Sequence, residues 1–249
     1  MSEPLVPLDD DGAERVFRRP LVVVGLLAAV AGYIDAFAFV WLGVFVANMS
    51  GNIIFLGLAL GGDAAKGWES AFAIAGFAAG AAAGVGLRSW GRRRGAPLGT
   101  VAPLVVECLL LALVVVAFTW SDPVTGLGGW SLTTLVALAA ANGLQAFVIT
   151  RVWGISTPTT YATGTVVSSS SAAFAALADR RADEGAVWRR RWAVAGTTPA
   201  SYLVGAAGYA LLRDQRWALV LPLLVMLGVL AVALARSRSD EDQAVTTGR

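Results

Sequence analysis

The chain has 249 residues, of which 57% are hydrophobic and only 14% charged, with a mean hydropathy of +0.67. A soluble domain of this size needs about a quarter of its residues charged to cover its surface, so a soluble fold is excluded and an integral helical membrane protein is expected. The net charge of +2 comes from arginines in short loops, the single cysteine allows no disulfide framework, and the lack of histidine removes the commonest general base and metal ligand.

In chain order, residues 1–19 read as a polar cytoplasmic tail. Arg15, Arg18 and Arg19 precede the apolar Leu21–Ala28, as in a signal peptide, but the apolar character runs on to Phe45, so an uncleaved first membrane helix is expected. Eight apolar stretches follow from there, at about 21–41, 44–61, 70–89, 99–120, 131–150, 159–178, 192–212 and 216–235. Each has about the length that crosses a hydrocarbon core of roughly 30 Å as a helix. The second and sixth differ from the others. The second contains Asn48, Ser50 and Asn52; the sixth is rich in threonine and carries the run Ser168–Ser171. Residues 20–235 read as a single transmembrane domain and 236–249 as a second cytoplasmic tail.

Loop charges discriminate between two topologies. If all eight stretches cross, the 19 basic residues divide only weakly between the two sides. If the second and sixth enter and return on one side, only Lys66, Arg213 and Arg216 fall outside. The positive-inside rule favours that arrangement: an all-α polytopic protein with six spanning helices, two re-entrant or half-length segments, and both termini cytoplasmic. Eight spans are the alternative.

The second half (about 130–235) echoes the first (about 20–120). "AGYIDAFAFV" at 31–40 pairs with "ANGLQAFVIT" at 141–150, setting Asp35 against Gln145. "NMSGN" at 48–52 pairs with "YATGT" at 161–165, "AIAG" at 73–76 with "AVAG" at 193–196, and "PLVVE" at 103–107 with "PLLVM" at 222–226. The matches keep one order, with offsets of 110 to 120 residues, as a duplication does. With three spans per half, the halves would be inverted relative to each other, a recurrent plan in transporters and channels.

The stretch "GYIDAFAFVWLGVFVANMSGN" (32–52), with "NGLQAF" and "TTYATGT", resembles the YoaK family of bacterial inner-membrane proteins over roughly residues 20–235. The resemblance implies about six transmembrane helices in the bacterial inner membrane and supplies no substrate or activity. The chain departs from the family pattern at Ser50, where threonine is commoner, and at Ala146-Phe147, where an Asn-Ala pair is expected.

Polar residues inside apolar blocks are the candidates for function. Asp35 and Glu107 are the acids well inside such blocks, and intramembrane acids face protein or water and have partners. Asp35, Asn48, Ser50, Gly51 and Asn52 from the first half, with Gln145, Thr160, Thr163 and Gly164 from the second, form the expected substrate or ion site near the membrane midplane. Glu107 is a separate proton or cation candidate. The competing reading of the Asn-Met-Ser-Gly-Asn block is structural, its amides satisfying a helix break. Gly76, Gly80 and Gly84 at spacing four suit close helix packing. The leading expectation is a transporter or channel for a small polar solute or ion. The alternative is a non-transporting scaffold or partner subunit bound through its glycine faces. Without histidine and without a Walker or Rossmann glycine fingerprint, no enzyme activity, catalytic residue, metal or cofactor is expected. The expected partners are the lipid bilayer and a small solute; a homo-oligomer is compatible with the sequence, and nucleic acid is not expected.

Overall fold

The computed structural model describes residues 16–94, 98–120, 129–148, 151–152, 155–156, 170, 182–215 and 217–247. These contain the α-helices α1 (Pro20–Leu42), α2 (Met49–Leu60), α3 (Gly67–Arg94), α4 (Leu98–Trp120), α5 (Gly129–Gln145), α6 (Ala182–Leu212) and α7 (Val220–Thr247). Helices α1, α3, α4 and α7 each hold a segment long and apolar enough to cross a membrane, which makes this a membrane protein. Helix α5 has a shorter apolar core, Leu132–Gln145. Helix α6 is long, but Thr197, Thr198, Pro199, Ser201 and Tyr202 interrupt its apolar run.

Helix α1 starts with Pro20 in its first turn, where a missing N–H is harmless. It stops at Gly43, whose φ of 76° places it in the left-handed region and whose N–H closes onto the carbonyls of Ala38 and Phe39. The chain then runs irregularly to Asn48 before α2 begins. The 12 residues of α2 rise about 18 Å, short of a hydrocarbon core of about 30 Å. A 3₁₀ turn at Ala64–Lys66 follows. There the Lys66 ammonium donates to the Leu42 carbonyl at 3.0 Å, so the chain comes back to the end of α1 before α3 starts.

The most extensive helix contacts are α1 with α6 and α3 with α5. Both pairs run in the same chain direction. Gly25 lies beside Thr197 and Tyr33 packs edge-on against Tyr209, while Gly76, Gly80 and Gly84 lie beside Val136, Ala140 and Leu144. Each pair is closed by two reciprocal glycine contacts. A Cβ on Gly32 would strike the Tyr202 carbonyl, and one on Gly205 would strike that of Ala29. In the other pair, a Cβ on Gly80 would strike the Ala140 carbonyl, and one on Gly143 that of Phe77. In both clasps each glycine sits on a carbonyl three residues before the glycine of its neighbour. The sequence correspondence relates α1 to α5, α3 to α6 and α4 to α7, so it exchanges these two pairs.

Helices α1, α5, α4 and α7 contact one another in a ring, with α6 outside on α1 and α3 outside on α5. The ring buries Val24, Leu27, Leu104, Leu138 and Met226.

Some helix ends differ from the sequence expectation. Helix α5 ends at Gln145 rather than near 150, because Phe147 and Val148 tighten onto the carbonyls three residues back and Arg88 takes the Phe147 carbonyl at 2.9 Å. A two-residue antiparallel pair follows, Arg151–Val152 with Ile155–Ser156. Helix α7 passes 235 and continues to Thr247, since no proline or glycine stands between Gly228 and Gly248 to stop it. The expected sixth stretch, 159–178, lies outside the described residues apart from Ser170.

Candidate functional site

Asp35 sits on α1 two turns before its end and is 2% exposed. Its Oδ1 accepts the backbone N–H of Val46 and of Ala47, each at 2.6 Å, and its Oδ2 accepts that of Asn48 at 2.9 Å. The Tyr202 hydroxyl from α6 also donates to Oδ2. Three successive amides converging on one carboxylate form an anion nest just ahead of the positive end of α2. Four donors occupy the two oxygens, so Asp35 fastens together α1, α6 and the segment leading into α2.

The rest of the Asn-Met-Ser-Gly-Asn block builds the same break. The buried Asn52 side chain clamps the backbone of Phe45, its Oδ1 accepting the N–H at 3.0 Å and its Nδ2 donating to the carbonyl at 2.6 Å. The Phe45 ring stacks between Phe39 and Phe55. Gly51 lies under that ring, where a Cβ would come within 2.6 Å of it. Ser50 is exposed and donates to the Asn48 side-chain oxygen at 2.6 Å. Asp35, Asn48, Ser50, Gly51 and Asn52 are therefore brought together, with their polar groups largely taken up by holding the backbone.

Gln145 lies elsewhere. Its Nε2 donates to the Leu27 carbonyl of α1 at 2.7 Å, and Leu27 is eight residues, about 12 Å along the helix, from Asp35. The structure does not bring Gln145 to Asp35. Thr160, Thr163 and Gly164 lie outside the described residues.

A different polar group occupies the ring. Glu107 on α4 is 1% exposed, and Asn142 and Gln145 on α5 are equally buried. Glu107 Oε2, Asn142 Oδ1 and Gln145 Oε1 have no hydrogen-bond partner among the described residues. The amide nitrogens, by contrast, are used: Asn142 Nδ2 on the Leu138 carbonyl at 2.9 Å and Gln145 Nε2 on Leu27. Helices α3 and α4 pack side by side and are joined through residues 95–97, so they run in opposite directions, and α4 is antiparallel to α5. Glu107 lies 13 residues before the end of α4 and Asn142 lies 13 residues after the start of the antiparallel α5, with Gln145 at the end of that helix. The exposed residues of α4, Leu109, Leu113 and Val116, are on its other side.

Buried acceptors without donors are unfavourable, and an unpaired buried carboxylate more so. Glu107, Asn142 and Gln145 thus carry one carboxyl and two amide oxygens that are buried without a donor among the described residues. Among the described residues there is no cluster of three His, Cys, Asp or Glu side chains that could hold a metal ion.

Two participants escaped the sequence reading. Tyr202 had a readable signal, because a phenol inside an apolar stretch needs an acceptor and Asp35 needed a donor. Asn142 was visible near Gln145, but its burial without a donor for its oxygen depends on helix packing.

A family model described as a protein of unknown function (DUF1275) matches residues 23–233. No curated protein and no solved structure matches the chain.

Proposed function

We propose that this chain, which belongs to the DUF1275 family of proteins of unknown function, is a transporter or channel for a small monovalent ion, or for a solute moved with one. The observation that carries this reading is the set of unpartnered oxygens on Glu107, Asn142 and Gln145 inside the four-helix ring. A static structural core has no use for three buried oxygens without donors. A pathway that takes up and releases a cation does.

The architecture we propose supports the same reading. Six helices span, and α2 enters and returns, in keeping with the Lys66–Leu42 contact that joins its two flanks. The halves form an inverted repeat, consistent with the exchange of the two glycine-clasped pairs. Both termini lie in the cytoplasm of a bacterial inner-membrane protein, by the arginine distribution. In this reading Asp35 anchors the re-entrant segment, and the ion site is built on α4 and α5.

Purified protein in proteoliposomes tests the proposal. A sodium or proton gradient should drive flux in the native chain, and Glu107→Gln should lower it by tenfold or more while leaving the melting temperature in detergent within a few degrees. Flux unchanged by Glu107→Gln would place the pathway elsewhere.

A further inference from the structure

A groove of about 630 Å³ opens outside the ring, on the seam between the first half of α1 and the middle of α7. Val22, Val23 and Leu26 line one wall, and Leu224, Val229 and Val232 line the other. Gly228 leaves a gap in the floor, since nothing lies within 4 Å of where its Cβ would stand. One end of this apolar trough is strongly basic. Arg18 and Arg19 line it and are exposed, and neither forms an ion pair among the described residues. The first turn of α1 carries no acidic residue, so the positive helix end adds to their field. The Tyr33 hydroxyl donates to the Ala218 carbonyl just before α7, so α1 and α7 run in opposite directions, which brings Arg236, one turn beyond Val232, to the same end.

We infer that this groove binds an anionic phospholipid, its phosphate held by Arg18 and Arg19 and an acyl chain laid along Val22, Leu26 and Val232 over Gly228. The occupant follows from the pairing of the two ends. A free phosphate would satisfy the arginines and leave the apolar trough unexplained. A neutral lipid would fill the trough and leave the arginines without a counterion. Basic clefts between membrane helices at a headgroup level are suited to anionic lipids. The groove lies on the outer side of two ring helices and uses none of Glu107, Asn142 and Gln145.

The full chain, purified in mild detergent, would be titrated with phosphatidylglycerol and with phosphatidylcholine of the same acyl chains, and bound lipid counted by native mass spectrometry. Phosphatidylglycerol should be retained in preference, and Arg18→Ala with Arg19→Ala should reduce its affinity by roughly tenfold towards that of phosphatidylcholine. Gly228→Phe, which fills open space, should reduce retention of both lipids. The same change at Gly57, a glycine of α2 that is also open, should leave retention unchanged and serves as the control. Equal retention of the two lipids by the native chain, or native-like retention by Gly228→Phe, would overturn the proposal. A rise in retention on deleting residues 1–14 would overturn it in favour of the acidic N-terminal residues as occupant, and a second copy of the chain as occupant would appear as a dimer abolished by Gly228→Phe.

Discussion

Asp35 uses both carboxylate oxygens on four donors, and that makes its replacement a sharp test of its role. Asn is nearly the same shape, but its NH₂ would face backbone N–H groups that have no other acceptor. Asp35→Asn should therefore lower stability by about 3 kcal/mol, whereas Tyr202→Phe removes a single donor and should cost about 1 kcal/mol. Melting temperatures of the two variants in detergent check the order; equal effects would mean the nest does not hold the segment. At this scale the sequence was informative about which residues matter and less so about their partners. That Asp35 and Asn52 are unusual could be read from polar side chains in an apolar run. That Asp35 faces three amides of the following loop, rather than Gln145, follows from the left-handed turn at Gly43, which throws the chain back alongside α1.

Helix positions and ends were largely legible, because hydropathy is a local property of a segment. The interruptions were harder. The early end of α5 depends on Arg88 of another helix taking the Phe147 carbonyl. The glycines of α3 read correctly as a packing stripe, and the structure identifies α5 as the partner, so this face is covered within the chain. Gly80→Ala and Gly205→Ala each push a methyl into a backbone carbonyl that cannot rotate away, and each should cost about 2 kcal/mol or more. Gly57→Ala on the open side of α2 should instead be neutral or stabilising by up to about 1 kcal/mol. Thermal unfolding of the three variants tests the clasps; a harmless Gly80→Ala would mean α3 and α5 do not approach so closely.

For the whole molecule, the decisive question is whether α2 crosses. Single cysteines in a Cys108→Ala background answer it, at Asp63 just after α2 and at Arg93 near the end of α3, both exposed. Labelling of position 63 from outside and 93 from inside the cell is the expected result for a returning α2. The reverse pattern would indicate eight crossings and parallel halves. Composition and block length were enough to establish a helical membrane protein, because each is a sum over neighbouring residues. Tertiary packing is what sets α1 against α6 and α5 against α3 around a shared ring. It also separated Asp35, saturated as a fastener, from Glu107, Asn142 and Gln145, whose oxygens remain unmatched. The physical reason is common to both results. Close approach of two backbones, and the count of donors around a buried oxygen, depend on residues more than a hundred positions apart that no local pattern connects.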